Sequence, residues 1–226
     1  MKKKMLIIFS LLGIVLVFAC IWGIMHAKGD MPAAEPTGGL RGELGIDKNI
    51  NEKNIDAYLG RKDCVYYDMR MLEDSVRYEE MGGDSYLSGY IEGFRVLPYP
   101  YLAPVTGLPE ELGTPYDGKT LFSLSADGSY RANYEESLEI LEFFFPKDKK
   151  IVLMCGGGGY AGMTKELLTF YGWNPELIYN IGGYWYYEGT HNVHVKRTND
   201  DGTVTYDFWK VPYHEIRFET LHEVHE

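Results

Sequence analysis

The stretch from Ile151 to Tyr171 constrains this chain most. An apolar run, Ile151-Val152-Leu153-Met154, leads into Cys155, four glycines (Gly156, Gly157, Gly158 and Gly159), and then Tyr160-Ala161-Gly162. Met163, Leu167, Phe170 and Tyr171 follow at helical spacing, and Gly172 stands where such a helix would end. A cysteine therefore sits where a buried strand stops and a helix starts. Glycines accept positive φ and carry no side chain, so successive backbone N–H groups can curl around one point. The helix N-terminus adds partial positive charge there. That setting predicts a lowered thiol pKa and a reactive thiolate. The plainer alternative is a small buried cysteine before a glycine turn.

The N-terminus sets the compartment. Lys2-Lys3-Lys4 precede an uncharged, almost wholly apolar run of 21 residues, Met5 to Met25, and roughly 20 such residues cross a bilayer core. The lysines stay inside and the rest of the chain outside. Two readings of residues 1–28 stand side by side, both placing the domain on the outer face of a bacterial cell membrane. One is an uncleaved anchor. The other is a lipoprotein signal, with Val17-Phe18-Ala19-Cys20 resembling a lipobox and Cys20 bearing the lipid, although Ile21-Trp22-Gly23-Ile24-Met25 stays apolar beyond it.

The chain of 226 residues has net charge −11, and its first 28 residues carry only four lysines as charged groups, so the rest carries −15. Such an acidic balance argues against nucleic acid and anionic lipid surfaces as partners. Cys64 opens an apolar strand and reads as core. A Cys64–Cys155 disulfide is allowed by count alone, in a compartment that favours pairing.

Residues 29–50 are rich in Gly, Pro and Ala without periodicity and read as a tether. Asn54 is placed to cap a short helix through Leu59. Strands are predicted at Cys64–Tyr67, Arg95–Leu97 and Leu177–Ile181, and helical character over 71–81. Residues 98–130 read as a long loop whose tyrosines favour a packed flap. Asn133 and Glu136 form a capping box for a helix with Tyr134, Leu138, Leu141 and Phe145 on one face, stopped by Pro146. Short apolar strands alternating with helices imply a mostly parallel α/β sheet, whose sites lie at the carboxyl ends of strands. Asp68, Cys155 and Gly182 all stand at such ends.

Four landmarks in order carry a resemblance: Asp68-Met69-Arg70, Gly89-Tyr90-Ile91-Glu92-Gly93-Phe94, the Cys155 loop, and Asn180-Ile181-Gly182-Gly183. Over roughly residues 51–189 the chain resembles rhodanese-like domains of the membrane-tethered bacterial type. The resemblance implies a central parallel five-stranded sheet flanked by helices over 51–190, with Cys155 as persulfide carrier. It implies Gly156 to Gly162 as the substrate-binding loop and Asp68 and Arg70 as its scaffold. The partner would be a small sulfur-containing substrate or thiol acceptor, with no cofactor and no metal. Two departures stand out: Tyr90 replaces the usual His, and Tyr160 replaces the Arg that ends the loop; the next position, where related phosphatases keep their Arg, is Ala161. Phosphate recognition leans on a bidentate Arg, so phosphatase chemistry is disfavoured. For sulfur transfer, losing one hydrogen bond to a charged group costs about 1.5–3 kcal/mol, roughly 10- to 100-fold in rate. An extracytoplasmic sulfurtransferase and a catalytically degenerate module binding a small anion or a protein therefore both stand, with a thiol redox role behind them.

Residues 191–226 extend beyond that domain. Val193–Arg197 and Val204–Phe208 flank Asn199-Asp200-Asp201-Gly202, a β-hairpin signal. The histidines His222 and His225, with Glu223 and Glu226, have the residue types of a metal site, but a chain end is expected to fray.

Overall fold

A continuous run of buried apolar residues, with no polar face, marks a strand inside a parallel sheet. Lys150–Cys155 is such a run, buried at every position after Lys150. In this computed structural model it lies at the centre of the sheet. The structure describes residues 30–74, 78–106 and 116–225, and the unit that holds the sheet begins at Ala33. The expected anchor and Cys20 lie outside the described residues. Among those described, no helix is long and apolar enough to cross a membrane.

Among the described residues, ten strands follow in chain order. They are β1 Cys64–Asp68, β2 Gly89–Ile91, β3 Arg95–Val96, β4 Phe122–Leu124, β5 Tyr130–Ala132, β6 Lys150–Cys155, β7 Ile178–Gly183, β8 Asn192–His194, β9 Lys196–Thr198 and β10 Val204–Tyr206. The α-helices among the described residues are α1 Tyr99–Leu102, α2 Ser137–Phe144 and α3 Gly159–Phe170. The main sheet is parallel, in the order β3-β1-β6-β7, and three two-stranded antiparallel pairs (β10-β9, β2-β8 and β4-β5) surround it. Cys64 of β1 pairs with Lys150, and Asp68 with Met154. That register sets Asp68 beside the end of β6. The sheet thus has four strands where five were expected. A single parallel bridge, Val96 with Tyr213, stands at the β3 edge in place of a fifth.

Side chains alternate across a strand, so β6 feeds two layers. Ile151, Leu153 and Cys155 join Tyr67, Leu141, Phe145, Leu167 and Leu168 in one hydrophobic core. Val152 and Met154 are fully buried on the opposite face. Helix α3 buries Met163 and Leu167 as its spacing predicts, but Phe170 is 48% exposed and Tyr160, Ala161, Thr164 and Leu168 complete the buried face. Gly172, at φ +87, ends it.

Several sequence expectations give way. Asn133 and Glu136 form no capping box: Asn133 donates to the Thr120 carbonyl at 2.8 Å, and α2 begins one residue after Glu136. The Ser137 hydroxyl instead accepts from the Tyr134 N–H at 3.1 Å. The buried face is therefore Ser137, Leu141 and Phe144, leaving Leu138 out. Asn54 caps nothing with its side chain; Ile55–Tyr58 is a 3-10 turn. Of the helix expected over 71–81, only a 3-10 turn at Tyr78–Met81 is present among the described residues. The flap at 98–130 contains α1 and the β4–β5 hairpin.

Both edges of the main sheet are covered, which removes the exposed ladders that invite aggregation. At β7 the cover comes from the stretch read as a tether. The Asp47 N–H donates to the Asn180 carbonyl at 2.7 Å and the Glu52 N–H to Ile181 at 2.9 Å. Ile46, Asp47 and Ile50 are buried, so residues 33–50 belong to the fold. At β3 the cover is the C-terminal extension. Val96 donates to the Pro212 carbonyl and accepts from the His214 N–H. The hairpin is present as β9–β10, and the chain then straps across α2, where Ile216, Phe218 and Leu221 pack on the core. The strap is tied down as far as Val224, whose N–H donates to the Asn133 carbonyl at 3.0 Å.

Candidate functional site

The parallel register brings the carboxyl ends of β1, β6 and β7 together, and the expected site residues gather there. At the end of β1, Asp68 is fully buried and Arg70 is 5% exposed. Arg70 Nη2 lies 2.5 Å from Asp68 Oδ2 and donates to the Gly89 carbonyl at 2.7 Å. Its guanidinium stacks on the Tyr184 ring at 4.6 Å. The pair braces β1 against β2 and the turn after β7. Arg70 Nη1 is buried with no hydrogen-bond partner among the described residues.

Cys155 is 3% exposed and belongs to the hydrophobic core. The Gly158 N–H reaches its Sγ at 3.0 Å. Burial pushes the thiol pKa up, against the N–H groups of Ala161, Gly158 and Tyr160, and the Asp68 carboxylate adds to the rise. The expected lowering is therefore overturned: the amides are present, but desolvation outweighs them. Cys64 is also buried, and no disulfide joins it to Cys155.

The glycine run is packed from above. A Cβ on Gly156 would stand 2.4 Å from the Trp185 ring, and one on Gly83 2.5 Å from it. A Cβ on Gly157 would stand 3.4 Å from the same indole. Gly158 takes φ +110 and faces Ile46. A Cβ on Gly162 would meet the Leu44 carbonyl oxygen at 2.4 Å, and one on Gly183 the Gly156 carbonyl oxygen at 1.8 Å. The missing side chains thus admit neighbours, where the sequence suggested room for an anion. Trp185, held by its main-chain N–H on the Gly156 carbonyl at 3.2 Å, also packs on Tyr78 with ring centroids 4.5 Å apart. The cleft beside the loop, lined by Arg70, Asp74, Tyr78, Leu87, Gly156 and Trp185, holds about 10 Å³. That is room for about one water. A groove of about 890 Å³ along the outer face of α3 is not lined by Cys155.

The two departures from the expected motif have structural destinations. The Tyr160 hydroxyl donates to Asp74 Oδ2 at 3.1 Å, beside the Tyr78 hydroxyl, which donates to the same oxygen at 2.9 Å. Its ring stacks on Tyr99. Burial raises the pKa of both phenols. Tyr160 therefore faces inward, away from the position a loop Arg would serve. Tyr90 donates to the Lys210 carbonyl at 2.9 Å and holds the C-terminal strap.

No family model matches the chain, and neither a curated protein nor a solved structure does.

Sequence reasoning missed three participants. Trp185 follows Gly182-Gly183 directly, and a large aromatic beside paired glycines is a signal of close packing. Asn180 is the one polar residue in the apolar run of β7. Its amide donates to Leu44 at 2.7 Å and Gly158 at 2.9 Å, while its oxygen accepts from the Gly182 N–H. Asp74 carried no local signal at all. The tail histidine His222 is engaged by Glu136 at 2.5 Å.

Proposed function

We propose that this domain is a catalytically degenerate rhodanese-like binding module, with the strand–cysteine–glycine-loop–helix plan kept and its thiol retired into the core. One observation carries the reading: Cys155 is enclosed beneath a loop whose glycines are filled by Trp185, Ile46 and the Leu44 main chain. A persulfide carrier needs an exposed, ionised sulfur, and burial works against both conditions. The inward-facing Tyr160 points the same way, since it places no donor at the loop mouth. The four-stranded parallel sheet and the brace of Asp68 and Arg70 agree with the resemblance in kind.

The test is thiol chemistry on the full-length chain. Iodoacetamide at neutral pH should leave Cys155 unmodified in the native protein and label it after denaturation. Incubation with thiosulfate should give no one-sulfur mass increase, and thiosulfate with cyanide no thiocyanate. Rapid native labelling, or a sulfur adduct that disappears in Cys155→Ser, would sink the reading in favour of a sulfurtransferase. The Gly158 N–H on Sγ is the observation that keeps that second reading alive. A Tyr160→Arg variant probes it: a large gain in turnover would mean the loop lacks only a charge.

A further inference from the structure

We propose that the outer face of α2, together with residues 215–221 of the strap, is a docking surface for a cationic amphipathic segment of a partner protein. The inference names the face through which the binding module acts, and it rests on that reading.

Helix α2 turns Leu141 and Phe144 to the core but leaves Phe143 76% and Leu138 45% exposed. A groove of about 390 Å³ beside it is floored by Ile140, Phe143, Phe144, Ile216 and Leu221. That volume lies at the low end of ligand-sized pockets, about 300–1,000 Å³. Phe143 meets the Phe144 ring edge-on at 5.2 Å, but most of its surface stays in water beside the apolar groove, the kind of contiguous patch that marks an interaction site.

The charge around the groove says what covers it. Glu139, Glu142, Glu215 and Glu219 are exposed, and among the described residues none of them has an ion-pair partner. Some acidic groups elsewhere do have one, as Asp63 with Arg61 and Lys150 and Asp84 with Lys196, and others such as Glu43, Glu166 and Glu188 do not; here four without one lie on the two segments that line a single apolar groove. Arg217 is the one base within 135–144 and 215–221. Carboxylates left unpaired around an apolar centre complement Lys or Arg flanking large apolar side chains. A second copy would bring the same acidic face and a like charge, which oppose self-docking.

The probe is a fluorescein-labelled synthetic helix of Leu and Lys, titrated by anisotropy against the full-length chain. A charge-matched peptide of Lys and Ser is the control. The Leu/Lys peptide should bind at least about tenfold more tightly than the control, and Phe143→Ala should remove about tenfold of that affinity. Glu139→Lys with Glu142→Lys should weaken binding further and flatten its salt dependence. These positions are exposed, so the variants should keep the native circular dichroism. Equal binding of both peptides, or binding indifferent to the variants, would reduce the effect to non-specific attraction and overturn the proposal. So would no binding, or a concentration-dependent dimer in sedimentation that Phe143→Ala abolishes. None of these outcomes bears on Cys155 labelling, so the two readings fail separately.

Discussion

Desolvation against hydrogen bonding decides the chemistry of Cys155. Backbone amides around a sulfur favour the thiolate, and burial in a core disfavours it; here burial is the larger effect. The glycines around it differ in what they tolerate. A methyl on Gly183 would meet main chain at 1.8 Å, whereas one on Gly157 would meet only the indole edge at ordinary contact distance. Gly183→Ala should therefore destabilise by about 3 kcal/mol or more, and Gly157→Ala by less than about 1 kcal/mol, in urea unfolding. Trp185 is the group that shuts the loop. Trp185→Ala should cost about 2–4 kcal/mol and raise native iodoacetamide labelling of Cys155 on the order of tenfold. Unchanged labelling would mean that the core, and not the indole, shields the sulfur.

At the scale of elements, the strap from His191 onward carries two histidines with opposite pH behaviour. His214 lies between the rings of Tyr67 and Phe144. Burial and then Arg95 lower its pKa. The unfolded chain takes up that proton first, so the contribution is present above about pH 6.5 and fades as pH falls below it. His222 is raised, through its hydrogen bond to and attraction from Glu136, and Glu136 is lowered in return. The His222 contribution is full below about pH 6.5 and is lost as pH rises through its folded value. The Glu136 contribution is present above about pH 4.5 and fades on further acidification. Urea midpoints between pH 5 and 8 should separate the two. His222→Gln should remove a gain seen on acidification to about pH 6, and His214→Gln should remove a loss. Parallel pH curves for both variants and the parent would refute the assignment.

For the molecule as a whole, the two ends of the domain are structural. Residues 33–52 close the β7 edge, and the strap closes the β3 edge and covers α2. Deleting residues 215–226 strips Ile216, Phe218 and Leu221 from the core. At about 1–2 kcal/mol for each partly buried side chain, the loss is roughly 3–6 kcal/mol, a large share of the 5–15 kcal/mol typical of a domain. Thermal unfolding of the truncated chain should show it. The sequence by itself determined the central strand, the helix after the glycine loop, the parallel α/β class and the C-terminal hairpin. Each of these follows from local periodicity and turn chemistry, which a short window of residues contains. Only the tertiary structure decided the state of the thiol and the role of the two ends. Whether a glycine makes room for an anion or for an indole depends on what the remainder of the chain brings to it. Trp185 stands 29 residues beyond Gly156, and no pattern within either stretch encodes their contact. The same holds for residues 33–50, whose backbone donors find acceptors only because β7 presents an open edge.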